Sequence, residues 1–94
     1  MSAQSAQVLR LEGPLTMHTA RSHVDEGRTR LAKGDLVVDF SAVGEADSAA
    51  VALIFDWLRA AAVSGHSLYV RALPDGLRSL ASLYGVEALL PPEA

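Results

Sequence analysis

The spacing of apolar residues changes period several times along this chain of 94 residues, and nothing else in it constrains the fold as tightly. A period of two marks strands and a period near 3.6 marks helices, so a chain that switches between them builds mixed α and β structure. "QVLRLEG" (7–13) alternates through Val8, Leu9, Arg10 and Leu11 and predicts a half-buried first strand. "GPL" predicts a turn, with Leu15 opening a very short second strand. Thr16 can cap a helix over 17–32 that sets Met17, Ala20, Val24 and Leu31 on one face. Gly27 and several poor helix formers interrupt it. "LVVDF" (36–40) is β-branched and apolar apart from Asp39, which suits a central strand buried on both faces.

Residues 41–47, "SAVGEAD", predict a loop, and a long helix follows over 48–63 until "SGH" breaks it. "SLYVRA" (67–72) predicts a further strand. Pro74 fits the first turn of a last helix carrying Leu77, Leu80, Ala81 and Tyr84, with Gly85 as its stop. "VEALLPP" predicts a terminal helical turn. The order β-(β)-α-β-α-β-α implies an α/β domain with a small, mostly parallel central sheet of about four strands, flanked by three to four helices.

The chain has room for one core, expected over 5–92 with a flexible N-terminus over 1–4. Half of the residues are hydrophobic and 20% are charged, which is a globular balance. Eight basic residues against eleven acidic ones give a net charge of −3. No Lys/Arg cluster is available to neutralise phosphates, so a nucleic-acid partner is not expected. Arg28, Arg30 and Lys33 read as a solvated helix end. The absence of cysteine excludes disulfides, thiol catalysis and Cys-based zinc sites. "MSAQSAQ" has neither the basic nor the apolar region of a signal peptide, and "AAVALIF" is far too short to span a bilayer, which needs about 20 residues. A soluble cytoplasmic domain without direct membrane insertion is expected.

At about 100° per residue, the long helix sets Val51, Ile54, Phe55, Leu58 and Ala62 toward the sheet. Ala52, Asp56, Arg59 and Val63 lie opposite, and Leu53 and Trp57 fall on the flank between. So wide an apolar arc needs a second cover, either the first helix or a partner, because tryptophan serves both in cores and as an interface anchor.

Asp47 stands where an N-cap would, accepting the free amides of the first turn and complementing the helix dipole. Ser48 follows it at the carboxyl edge of a parallel strand, where α/β folds place their sites. A nucleophilic serine needs a base within hydrogen-bond reach, and His18, His23 and His66 read as isolated surface residues. His18 and His23 are five apart and make a poor metal pair. Nothing matches a nucleophile elbow, a phosphate loop or a dinucleotide fingerprint, so no catalysis, metal or cofactor is expected. A phosphate on Ser48 would meet Asp39, Glu45 and Asp47 with no arginine close in sequence to offset them.

"LVVDFSAVGEADSAAVALIFDWLRAA" resembles the core of STAS domains, the fold of anti-sigma factor antagonists and of the cytoplasmic tails of sulfate transporters. The family pattern is an apolar strand ending in Asp, then Leu/Phe-Ser, then Asp-Ser/Thr-Ala/Ser-Gly opening a helix. Those positions fall on Asp39, Phe40, Ser41, Asp47, Ser48, Ala49 and Ala50. "GHSLYVRALPDGLRSLASLYGVEALLP" extends the resemblance over nearly the whole chain. Ala50 departs from the usual glycine, which favours the helix by about 1 kcal/mol but adds a methyl where a partner backbone would approach.

Within the family the compact length, the short first strand and the "LASLYGV…LLP" ending look most like the MlaB-like subgroup. The resemblance implies a non-enzymatic subunit, peripheral to the inner membrane. It would bind, stabilise and regulate an MlaF-like ATPase subunit, and through it a membrane permease, in an ABC transporter for phospholipids of the Gram-negative envelope. It places the partner surface at Asp39, Ser41, Asp47, Ser48, Ala49 and Ala50, with Leu53 and Trp57 adding apolar area and Arg78, Ser82 or Leu83 at the border. The alternative it implies is an anti-sigma factor antagonist, switched when an anti-sigma factor kinase phosphorylates Ser48.

Overall fold

The computed structural model describes residues 6–94, so the expected flexible segment 1–4 lies outside it. Strand β1 (Gln7–Leu15) leads through a 3-10 turn (Ala20–His23) into helix α1 (Val24–Lys33). Strand β2 (Leu36–Ala46), helix α2 (Ser48–Ser64), strand β3 (Leu68–Arg71) and helix α3 (Asp75–Leu83) follow, and a second 3-10 turn spans Glu87–Leu89. The three strands lie in the order β1-β2-β3, and both pairings are parallel.

Three elements differ from the expectations, the first being the helix expected over 17–32, which begins only at Val24, behind the 3-10 turn. "GPL" is no turn: β1 continues through it to Leu15, with Gly13 taking a positive φ of 77°. Residues 41–46 are likewise not a loop, because β2 runs on to Ala46 beside the extended β1. Two register shifts on β2 absorb its extra residues, so polar and glycine-containing sequence stays in the ladder. The sheet among the described residues therefore has three strands and not four, with only an isolated bridge added at the C-terminus. Glu93 bridges Val70 in parallel, with the Val70 amide donating to Pro92 at 3.0 Å and the Ala94 amide to Val70 at 2.8 Å.

Alternation along the strands separates two sheet faces. Leu9, Leu11, Leu36, Val38, Phe40, Leu68 and Val70 form the inner face and join one apolar core with residues of α1, α2 and α3. Val8, Arg10, Asp39, Tyr69 and Arg71 alternate with them and occupy the outer face. No polar or charged residue is buried among the described residues.

α2 sits at the centre of the helical layer. Its buried residues are Ala50, Val51, Leu53, Ile54, Trp57 and Ala61, a face turned from the expected one toward α1. Ala62 is exposed, and Phe55 and Leu58 are only half-buried. Trp57 explains the turn. It is fully buried, its Nε1–H donates to the Val24 carbonyl at 3.0 Å, and its ring lies over Gly27. A β-carbon on Gly27 would lie 2.1 Å from that ring, so the residue that weakens α1 as a sequence is the one that lets Trp57 in. α2 ends at Gly65, whose φ of 72° is the left-handed stop that glycine adopts without strain.

Candidate functional site: the outer ridge of α2

Asp47 builds the site by fixing where α2 begins. Its Oδ1 accepts the Ala49 amide at 2.8 Å, the N-cap geometry, and its Oδ2 accepts the Met17 amide from the segment after β1 at 3.3 Å. The Asp47 amide donates to the Leu15 carbonyl at 3.3 Å. One residue thus ties the ends of β1 and β2 to the first turn of α2. Ser48, the first helical residue, is exposed beside it.

From Ser48 an exposed ridge runs along α2 through Ala52 and Arg59 to Val63, at spacings of four, seven and four. A groove lies on each side. The first, about 410 Å³, is lined by Ser48, Val51, Ala52, Phe55 and Arg59 on α2 and by Tyr84, Val86 and Leu89 beyond α3. The second, about 430 Å³, separates α2 from the segment around the first 3-10 turn and α1, with Met17, Arg21, Arg28, Ala49, Ala52, Asp56 and Arg59 in its walls. Large apolar side chains stand open at both rims. Met17 is 73% exposed, Leu89 62% and Tyr84 53%. Ser48 and Ala52, the small residues in the first half of the crest, make a surface that another backbone can approach closely. Asp56 anchors the second groove through a bidentate pair with Arg28, with Nε to Oδ2 at 2.9 Å, and lies 3.7 Å from Arg59. The hydrogen bond and charge of Arg28 hold its carboxyl below the ordinary range, and Arg59 adds to this.

The structure brings Asp47, Ser48 and Ala49 to this ridge and distributes the other expected residues elsewhere. Trp57, 0% exposed, is a core residue covered by α1, whereas Leu53 is 3% exposed but lines the second groove beside Ala49 and Ala52. Ala50 is fully buried, so its methyl points inward and not toward an approaching backbone. Asp39 lies on the outer sheet face, because it alternates with Val38 and Phe40. Its carboxylate accepts the Ser41 amide at 2.9 Å, which, with the Ser41 side chain, depresses its pKa most. Arg10 and Arg71, at matched register on the flanking strands, add smaller contributions. Ser41 stays with Asp39, away from Ser48. Arg78 pairs with Glu93 of the C-terminal tail. Ser82 and Leu83 are exposed near the end of α3, but the groove wall is made by Tyr84, Val86 and Leu89. Ala52, Arg59 and Val63 carried a signal in their outward helical phase, whereas the opposite wall depends on how the turn after α3 folds back.

The family model described as "Mlab, STAS domain" matches residues 2–91. The chain belongs to the STAS domain family. No curated protein matches it. Two solved structures share the STAS fold at low identity. The anti-sigma factor antagonist SpoIIAA in its unphosphorylated form is 17% identical, with a TM-score of 0.67 over 88% of this chain and 78% of that one. A putative anti-sigma factor antagonist from Thermotoga maritima is 18% identical, with a TM-score of 0.74 over 93% of this chain and 79% of that one. On this STAS domain Ser48, the first residue of α2, is exposed at the head of the α2 ridge. No helix among the described residues is long and apolar enough to cross a membrane.

Proposed function

We propose that this STAS domain is a non-enzymatic subunit that binds the ATPase of an Mla-type ABC transporter and stabilises and regulates it. In that role it would sit in the cytoplasm, held at the inner membrane through the ATPase and its permease. The observation that carries the reading is the α2 ridge, with Ser48 and Ala52 at its crest and Met17, Tyr84 and Leu89 exposed beside it. A ridge of this kind suits close packing against a protein surface, with apolar anchors seated around a small-residue contact. The match to the MlaB-like branch of the family supports the choice of partner.

The second reading is an anti-sigma factor antagonist switched by phosphorylation of Ser48. The fold shared with an anti-sigma factor antagonist and with a putative one favours it, and Ser48 is open to a kinase. Against it stands Asp47, whose carboxylate already takes the Ala49 amide that would otherwise receive a phosphate, and whose charge opposes a dianion beside it.

Affinity purification of the full chain from its host, with partners identified by mass spectrometry, separates the two. Recovery of an ABC ATPase with its permease, lost in Ser48→Tyr while the domain stays folded, is the expected result. Recovery of an anti-sigma factor kinase with phosphate on Ser48 would replace this reading by the second. Trp57→Ala is no test of the surface, because Trp57 is buried.

A further inference from the structure

The two edges of the sheet are finished differently. At β3 the C-terminal tail occupies the outer edge by bonding both backbone groups of Val70. At β1, among the described residues, no strand covers the outer edge. The Gln7 amide donates inward to Asp35 and the Leu15 carbonyl accepts inward from Asp47, so odd-numbered backbone groups face β2 and even-numbered ones face outward. Both ends of that outward row are closed. The Val8 carbonyl accepts from Arg30 at 3.4 Å, the Pro14 carbonyl accepts from the Thr19 hydroxyl at 2.9 Å, and Pro14 has no amide proton. Among the described residues the open part is the middle, Arg10 and Glu12, both with exposed side chains.

We propose that this open stretch pairs antiparallel with the same stretch of a second copy, about a two-fold axis at Leu11. Arg10 of each copy then faces Glu12 of the other, and each such pair exchanges both of its backbone hydrogen bonds. Charged residues on an edge usually keep strands apart. Here opposite charges stand two residues apart on one face, so the two-fold operation places unlike charges opposite each other at both positions. No other antiparallel self-register pairs them so. Leu9 and Leu11 are already seated in the core and stay there. The α2 ridge lies on the helical layer and not on this edge, so the pairing does not compete with it for surface.

The contact is small, so association is read by sedimentation of the full chain up to about 1 mM. A reversible monomer–dimer equilibrium is expected. Arg10→Glu and Glu12→Arg, which each set like charges opposite one another twice, are expected to weaken it about tenfold or more, and the double exchange to restore it. Amide exchange reports the register independently. Protection of Arg10 and Glu12 should rise with concentration, while Leu9 and Leu11 stay unchanged. A wild-type chain that remains monomeric overturns the proposal. So does a dimer that either single reversal leaves intact, or a double exchange that fails to restore pairing. Protection of Arg10 and Glu12 at every concentration would show the edge covered from within the chain, which also overturns it.

Discussion

At the scale of single residues, the tightest constraint is the contact between Gly27 and Trp57. A tryptophan in a core usually forces its neighbours apart, and here the neighbouring helix yields by having no side chain at the point of contact. The indole is then satisfied at both ends, with its ring in the apolar core and its N–H on the Val24 carbonyl. Gly27→Ala should therefore destabilise the domain by about 1–3 kcal/mol, although alanine is the better helix former by roughly 1 kcal/mol. Urea unfolding measures this directly. If overlap with the ring is the cause, the same change made on a Trp57→Leu background should cost much less, and the double-mutant cycle would show the coupling. Equal costs on both backgrounds would locate the strain elsewhere. The contact also marks a limit of sequence reading. Leu53 and Trp57 were legible as a flank needing a cover, but Gly27 showed itself only as a weakness in α1.

At the scale of elements, α1 is held on α2 at its solvent edge by the Arg28–Asp56 pair as well as by Trp57. The Asp56 side chain is only 17% exposed, so its charge is less screened than that of a free surface carboxylate. Its folded-state pKa is depressed, first by the Arg28 hydrogen bond. A depressed carboxyl contributes stability that is present above the unfolded value, about 3.9, and is lost as pH falls through the folded value. Asp39, lowered mainly by the Ser41 amide, contributes with the same sign. Asp56→Asn should thus lower stability at neutral pH and flatten the loss on acidification below about pH 4. Unfolding free energies of both proteins across that range provide the test, and parallel curves would mean that the pair contributes nothing. The elements themselves were readable wherever one period ran long enough, as in the first half of β2, α2, β3 and α3. The extension of β2 was not, because "SAVGEA" is half polar and holds its place through pairing with β1, a non-local contact that leaves no period behind. The 3-10 turn before α1, which the sequence reads as part of one long helix, has a local cause instead. Thr16 and Thr19 bond within their own loop there and delay the helix.

At the scale of the whole molecule, the domain offers two surfaces of unlike character, and the functional reading depends on which one a partner uses. The outer sheet face carries Arg10, Asp39 and Arg71 in a row across three strands, a charged and well-hydrated surface in which one carboxylate stands between two cations. The helical layer carries the α2 ridge, with Ser48 and Ala52 between apolar rims that no described residue covers. Uncompensated apolar area at the rims is what association can bury at a gain, so the ridge is the surface expected to bind. Ala52 is the sharpest place to test this, because it borders both grooves and is exposed. Arginine at an exposed helical position costs the fold only about 0.2 kcal/mol. In an interface the same side chain would wedge the surfaces apart, and loss of even one well-packed anchor weakens binding about tenfold or more. Ala52→Arg should therefore retain the wild-type melting temperature and lose the partner, while Arg71→Ser on the opposite face keeps both. The reverse pattern, with binding intact in Ala52→Arg and lost in Arg71→Ser, would move the docking site to the open sheet face. Ser48 would then be left as a helix-terminal residue whose exposure serves nothing.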